Sequence, residues 1–159
     1  LSAIDAFNIV HAKARDNART PMQWDDSPNA GFTTGTPWLR ATNQAEVNVQ
    51  SPVSQKIFAF YQKLITLRKQ YAVIALGDYQ PFGETIDWLY GYQRHYHDQT
   101  LLVLNNFADH EIQIPIPEAF QQAQVLITNL SSFKPAATIT LSAYGTVALL
   151  QSKEEHHEK

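Results

Sequence analysis

The chain has no cysteine and a single methionine, Met22, among 159 residues. Without cysteine there is no disulfide framework, no thiolate nucleophile and no thiolate metal site; a reducing, cytoplasmic setting is the expectation. No apolar run approaches the roughly 20 residues that a membrane-spanning helix needs. An excess of positive charge is also missing: the formal net charge is −3. Neither nucleic acid nor an anionic membrane surface is therefore an expected partner. The six histidines have no metal-ligand spacing, and His156 and His157 are adjacent in a polar tail, so neither a metal nor a cofactor is expected. Neither an initiator methionine nor a signal-peptide pattern opens the chain. From this we expect a piece of a longer protein.

What is present is ordinary in bulk and unusual in one place. A hydrophobic share of 44% suits a globular domain. Residues 1–14 carry Ile4, Phe7, Ile9 and Val10 among polar neighbours, which reads as a weakly helical approach segment expecting a partner surface. Residues 15–50 have no sustained period. Pro21, Pro28 and Pro37, with Gly31 and Gly35, punctuate them. Each proline removes a donor and fixes φ; each glycine opens turns that other residues resist. So long a loop is functional or disordered. Trp24, Phe32 and Trp38 speak against disorder, and we expect the two tryptophans to pack under the loop rather than stack on a ligand.

Ser51-Pro52 supplies a helix start, with Ser51 as the N-cap and Pro52 in the first turn. Ile57, Phe60, Tyr61, Leu64 and Ile65 then recur at helical steps, so a helix is predicted over 52–71. After Gly77 the period changes to two. Strands are predicted at 86–96, 100–107, 111–116, 124–128, 137–141 and 145–150, separated by turn clusters, which gives a mainly β, antiparallel sandwich. Trp88, Tyr90 and Tyr92 would share one strand face, read as core or as a face covered by a neighbouring domain.

The stretch Arg15-Asp16-Asn17-Ala18-Arg19-Thr20-Pro21-Met22-Gln23-Trp24-Asp25, followed by Asn29-Ala30-Gly31-Phe32 and Pro37-Trp38, resembles the late-barrel loop of the α-amylase superfamily. It is most similar to the α-glucosidase branch that contains oligo-1,6-glucosidases, dextran glucosidases and trehalose-6-phosphate hydrolases. Val47-Asn48-Val49 and the helix Tyr61–Lys69 continue the pattern. The resemblance implies that 1–72 is the end of a (β/α)8 barrel, with a substrate loop at 15–50 and the last barrel helix at 52–71. It implies a C-terminal β-sandwich at 73–152 and a polar tail at 153–159.

The family's reaction is retaining glycoside hydrolysis, which uses two carboxyl groups roughly 5 Å apart; a third carboxylate grips the sugar. None of the three motifs occurs here, so no catalytic residue is assigned and the chain alone is expected not to catalyse. His97-Asp98-Gln99 spells part of one family motif, but it falls between two β runs and reads as a hairpin turn. The resemblance assigns substrate binding to Arg19, in the pocket for the non-reducing sugar, and to Arg15, nearer its mouth. A guanidinium fork can donate to adjacent sugar hydroxyls while pairing with a carboxylate. Asp16 and Asn17 are read as shaping the loop through side-chain to backbone bonds. The implied partners are a small α-glucoside or oligosaccharide in the intact enzyme and the absent barrel as a packing surface, with a dimer of the chain open when that barrel is absent. The alternative is an independent carbohydrate-binding or structural β module using the face of Trp88, Tyr90 and Tyr92.

Overall fold

The computed structural model describes residues 1–13, 19–41 and 48–152. The chain divides into two compact units, with the boundary between Gln62 and Lys63 inside one helix. Each unit is described by itself.

The first unit opens with helix α1 (Ala3–Lys13). Its N-terminus is closed by a reciprocal cap. The Asp5 amide donates to Ser2 Oγ at 3.1 Å, and the Ser2 amide and hydroxyl donate to Asp5 Oδ2 at 3.2 and 2.7 Å. These bonds occupy donors that a helix start leaves orphaned, and the carboxylate suits the positive helix end. The Ser2 bonds, its side chain's first, hold the Asp5 carboxyl below the usual aspartate range.

Helix α2 (Pro52–Gln70) begins as its sequence dictates. The Ser54 amide lies 3.4 Å from Ser51 Oγ, and the Gln55 amide donates to the Ser51 carbonyl at 2.9 Å. Arg68 and Lys69 occupy its last turn, against the negative helix end. Its apolar stripe is largely uncovered among the described residues: Ile57, Phe58, Tyr61 and Ile65 are all exposed, and Leu67 is the buried residue of the helix. Tyr71, with φ −112° and ψ 106°, breaks the helix and starts the short α3 (Ala72–Leu76).

The second unit is the expected antiparallel β-sandwich. Its strands are β1 (Asp78–Phe82), β2 (Leu89–Tyr96), β3 (Gln99–Asn106), β4 (Ile112–Pro115), β5 (Gln124–Thr128), β6 (Thr138–Leu141) and β7 (Thr146–Ser152). A five-stranded sheet runs β1-β2-β3-β7-β5 and a two-stranded sheet pairs β4 with β6, with every pairing antiparallel. Period-two alternation sorts the side chains. Leu102 faces Leu149 and Leu104 faces Val147 across β3–β7, while Ile114 faces Ile139 and Ile112 faces Leu141 across β4–β6. These residues, with Ile116 and Phe120, make the core between the sheets. On the opposite face of the large sheet, Leu101 is paired with Leu150 and both are buried, near where α3 packs on β2 and β3. Arg94 donates to the Gly77 carbonyl through Nε at 3.0 Å and Nη2 at 2.5 Å, fixing the point where the chain enters the sheet.

Two expectations about elements need correction. Asp78–Phe82 forms a strand that periodicity does not announce, because an edge strand exposed on both faces needs no alternation and tolerates Pro81. The strand expected from Ile86 starts only at Leu89. Residues 83–88 turn instead: the Ile86 amide donates to the Gly83 carbonyl at 2.9 Å, the Leu89 amide to the Ile86 carbonyl at 3.2 Å, and Trp88 sits at φ 64°.

Candidate functional site

The loop that carries the sequence motif folds upon itself. Asp25 accepts from the Ser27 amide at 2.9 Å and from the Ser27 hydroxyl in a very short contact. These two bonds, the hydroxyl's first, hold the exposed Asp25 carboxyl below the usual range. The Ala30 amide donates to the Ser27 carbonyl at 2.9 Å, and the Trp24 amide donates to the Ala30 carbonyl at 2.8 Å. Between them Asn29, Ala30 and Gly31 take φ of 56°, 54° and 66° in succession. Such a run is costly for residues bearing a Cβ and free for glycine. At Gly31 a Cβ would stand 2.6 Å from Asp25 Oδ2, so the carboxylate occupies the space that glycine leaves. Asn29 Nδ2 reaches forward to the Thr33 and Gly35 carbonyls at 3.2 and 2.9 Å. The Asp25-x-Ser27…Asn29-Ala30-Gly31 spacing is thus a structural knot built from side-chain to backbone bonds.

A second clamp ties this loop to the start of α2. The Val49 amide donates to the Gln23 carbonyl at 2.9 Å, and buried Asn48 accepts from the Gln50 amide through Oδ1 at 2.8 Å. Between the two segments lies a groove of ≈ 430 Å³, walled by Pro21, Met22 and Val49 on one side and by Ile57, Phe58 and Tyr61 of α2 on the other. Its lining is mostly apolar. No group of three His, Cys, Asp or Glu that could hold a metal occurs among the described residues.

Arg19 is exposed and precedes Thr20 and Pro21, which line the groove. Among the described residues it has no carboxylate partner. Arg15, Asp16 and Asn17 lie outside the described residues, so the two arginines cannot be placed together. Trp24 and Trp38 do not pack as expected. They are 46% and 87% exposed, because the described loop residues 19–41 bury only Pro21 and Ala30 and offer no interior to cover a ring.

In the second unit His97-Asp98 is the hairpin turn expected, joining β2 to β3 with His97 at φ 52°. The reading of Trp88, Tyr90 and Tyr92 as a shared strand face changes. Trp88 lies in the preceding turn, and Trp88 and Tyr90 are 64% and 51% exposed, so they are not sandwich core. Tyr79 of the unforeseen β1 joins instead. Ring centroids run Tyr79–Tyr92 at 5.5 Å, Tyr92–Tyr90 at 5.8 Å and Tyr90–Phe107 at 6.4 Å. Burial, with the neighbouring Tyr90 hydroxyl, raises the phenol pKa of Tyr92.

Comparison with known proteins places these features. Residues 3–77 match the family described as the α-amylase catalytic domain, and residues 89–148 match the SusG-type α-amylase C-terminal domain. The chain is 36% identical over 156 residues to trehalose-6-phosphate hydrolase of Bacillus subtilis, covering 94% of this chain and 28% of that protein. It is 42% identical over 125 residues to an oligo-1,6-glucosidase of Halalkalibacterium halodurans, covering 76% of this chain and 22% of that one. Among solved structures, trehalose-6-phosphate hydrolase of Bacillus licheniformis superimposes with a TM-score of 0.73 at 38% identity, over 92% of this chain and 28% of that one. The chain therefore spans about a quarter of the length of these relatives. Two family matches in the order barrel end then β-sandwich, with this identity across nearly the whole chain, make one conclusion: the chain belongs to the α-amylase family of glycoside hydrolases.

Proposed function

We propose that this chain is the C-terminal part of a retaining, exo-acting α-glucosidase acting on isomalto-oligosaccharides or related small α-glucosides. In this reading residues 1–72 end the catalytic barrel and 73–152 form the C-terminal sandwich. The observation that carries it is the motif at 15–38, with its self-locked loop, directly followed by a helix whose apolar stripe lies bare. A helix of this kind asks for a packing partner. The upstream part of the same polypeptide, present in the relatives and outside this chain, is that partner; it covers the groove and supplies the three carboxylates. Without it two copies of the chain can pair through the same stripe.

Arg19 is the sugar contact we assign, with Arg15 toward the pocket mouth. A guanidinium at the non-reducing glucose donates to two hydroxyls and neutralises a pocket carboxylate. The chain itself holds no pair of carboxylates assigned to protonate the leaving oxygen or attack the anomeric carbon, so it binds and does not cleave. A second reading, hydrolysis of trehalose 6-phosphate, is favoured by the relatives that bear that name, at 36% and 44% identity. The residues that would separate the two substrates lie upstream.

Incubation of the 159-residue chain with 4-nitrophenyl α-glucoside tests the division of labour. No release of nitrophenol above the buffer rate is expected. Steady turnover that survives repurification would overturn it. Isomaltose and trehalose 6-phosphate, offered to the longer protein, decide between the two substrates.

A further inference from the structure

One end of the sandwich carries a cleft that the glucosidase reading does not use. Three turns build it. The β1–β2 turn ends on Trp88, the β3–β4 turn holds Phe107, Ala108, Asp109 and His110, and the β6–β7 turn holds Tyr144; together these line ≈ 280 Å³. Trp88, Phe107 and Tyr144 are 64%, 62% and 63% exposed. An aromatic cluster this open in a sandwich with a full core of its own is not filling that core.

The cleft is pre-built. The Phe107 amide donates to the Trp88 carbonyl at 2.8 Å, and the Tyr144 amide donates to the Ala108 carbonyl at 3.2 Å, so backbone bonds join all three turns. Beneath them buried Asn106 donates through Nδ2 to the carbonyls of His110, Leu141 and Ser142, at 2.7, 3.2 and 2.9 Å, and accepts from the Ala108 amide at 2.8 Å. Trp88 and Tyr144 both hold positive φ, 64° and 54°, a conformation that L-residues adopt only where the surroundings impose it. The cleft also lies at the end of β2 away from the chain's entry, where Arg94 holds the Gly77 carbonyl.

The chemistry of the lining narrows the ligand. Its volume lies near the lower limit of small-molecule sites, roughly 300 Å³. No lysine or arginine lines it, and Asp109 brings a negative charge, so phosphates and nucleic acids are disfavoured. What remains is a neutral ring with flat C–H faces for the aromatics and hydroxyls for the rim. There the Asp109 carboxylate and the His110 ring, 3.0 Å apart, supply an acceptor and a polar nitrogen. From Phe107 the rings of Tyr90, Tyr92 and Tyr79 continue along the sheet. We propose that the cleft formed by Trp88, Phe107, Asp109, His110 and Tyr144 binds a pyranose unit of a neutral oligosaccharide, as a site separate from the pocket served by Arg19. The proposal stands whether or not that pocket belongs to an α-glucosidase.

Isothermal titration of the 159-residue chain with maltotriose, isomaltotriose and the anionic control glucose 6-phosphate tests it. Saturable binding of a neutral trisaccharide is expected with a Kd on the order of 1 mM, about −4 kcal/mol, and none of the phosphate. Trp88→Gly and Tyr144→Gly remove a ring while relieving the positive φ, so each variant should keep the parent circular dichroism and melt. Each should weaken binding about tenfold or more, whereas Gln122→Ala, exposed and outside both the cleft and the loop at 15–38, should leave it unchanged. Four results would overturn the site: no heat of binding up to about 20 mM sugar; binding indifferent to both glycine variants; self-association abolished by them, which assigns the cleft to a second copy; or loss of binding in the longer protein, which assigns it to intramolecular packing.

Discussion

Asn106→Ala is expected to be among the most damaging polar truncations in the sandwich. The residue is 3% exposed and engages four backbone groups: its two Nδ2 hydrogens are shared among the carbonyls of His110, Leu141 and Ser142, and its Oδ1 accepts from the amide of Ala108. His110 and Ser142 are exposed residues whose carbonyls can recruit water after truncation, while Leu141 and Ala108 are buried. Counting about 1.5 kcal/mol for each of the two buried groups, in the lower half of the 1–3 kcal/mol range for an orphaned buried group, gives a destabilisation of about 3 kcal/mol. A unit of this size shifts by roughly 4–8 °C per kcal/mol, so the melt should fall by about 12–24 °C. Asn106→Asp keeps the volume and the acceptor for Ala108 but turns an oxygen toward three carbonyls. It should lose a comparable amount, which separates hydrogen bonding from cavity formation. Thermal unfolding followed by near-ultraviolet circular dichroism reads both variants. Melts within about 3 °C of the parent for both would refute the assignment of Asn106 as the hub of that end.

Two further outcomes follow from local geometry. Gly31→Ala places a methyl 2.6 Å from Asp25 Oδ2 at φ 66°, adding about 1–2 kcal/mol of left-handed strain to a clash. Hydrogen exchange at the Trp24 and Ala30 amides should accelerate by about tenfold or more, and unchanged protection would count against the knot. Asp109 has its carboxyl held below 3.8 chiefly by the His110 side chain. A depressed carboxylate stabilises the fold above its unfolded pKa, and that contribution disappears as pH falls through the lowered folded value. The Asp109 carboxyl carbon, followed by NMR, should titrate below 3.8 and return toward it in His110→Ala; an identical midpoint in both proteins contradicts the pairing.

Much of the second unit is legible in the sequence because it obeys one rule. Leu102, Leu104, Val147 and Leu149 alternate with partners on the other face, and only a sandwich buries that pattern. The exceptions are places where the deciding force leaves no periodic trace. β1 lies at the sheet's edge, so Tyr79, Gln80 and Pro81 are chosen by solvent and pairing rather than by burial. Trp88 looks like a strand residue by propensity. It adopts positive φ because the turn bonds around Gly83 and Ile86 and the Phe107 amide on its carbonyl outweigh that preference. The terminal cleft was illegible for the same reason: Trp88, Phe107 and Tyr144 meet only through turn geometry, across more than fifty positions of sequence. In the first unit the motif fixes the residue types but not their surroundings. Ser51-Pro52 announces the start of α2, and Asp25, Asn29 and Gly31 explain the loop, yet the tryptophans expected to be covered are bare.

The central claim, that the loop at 15–38 is one wall of a glucose pocket with Arg19 as its contact, rests most directly on one kinetic comparison. In the longer protein that carries this chain, kcat/KM on isomaltose or 4-nitrophenyl α-glucoside is measured for the parent, Arg19→Lys and Arg19→Ala. A charged hydrogen bond contributes about 1.5–3 kcal/mol, so Arg19→Ala should lower kcat/KM by about 10- to 100-fold while the melt is unchanged. Lysine, which keeps the charge and loses the fork, should fall between the two. A kcat/KM within about twofold of the parent for Arg19→Ala would contradict the account and return Arg19 to the surface.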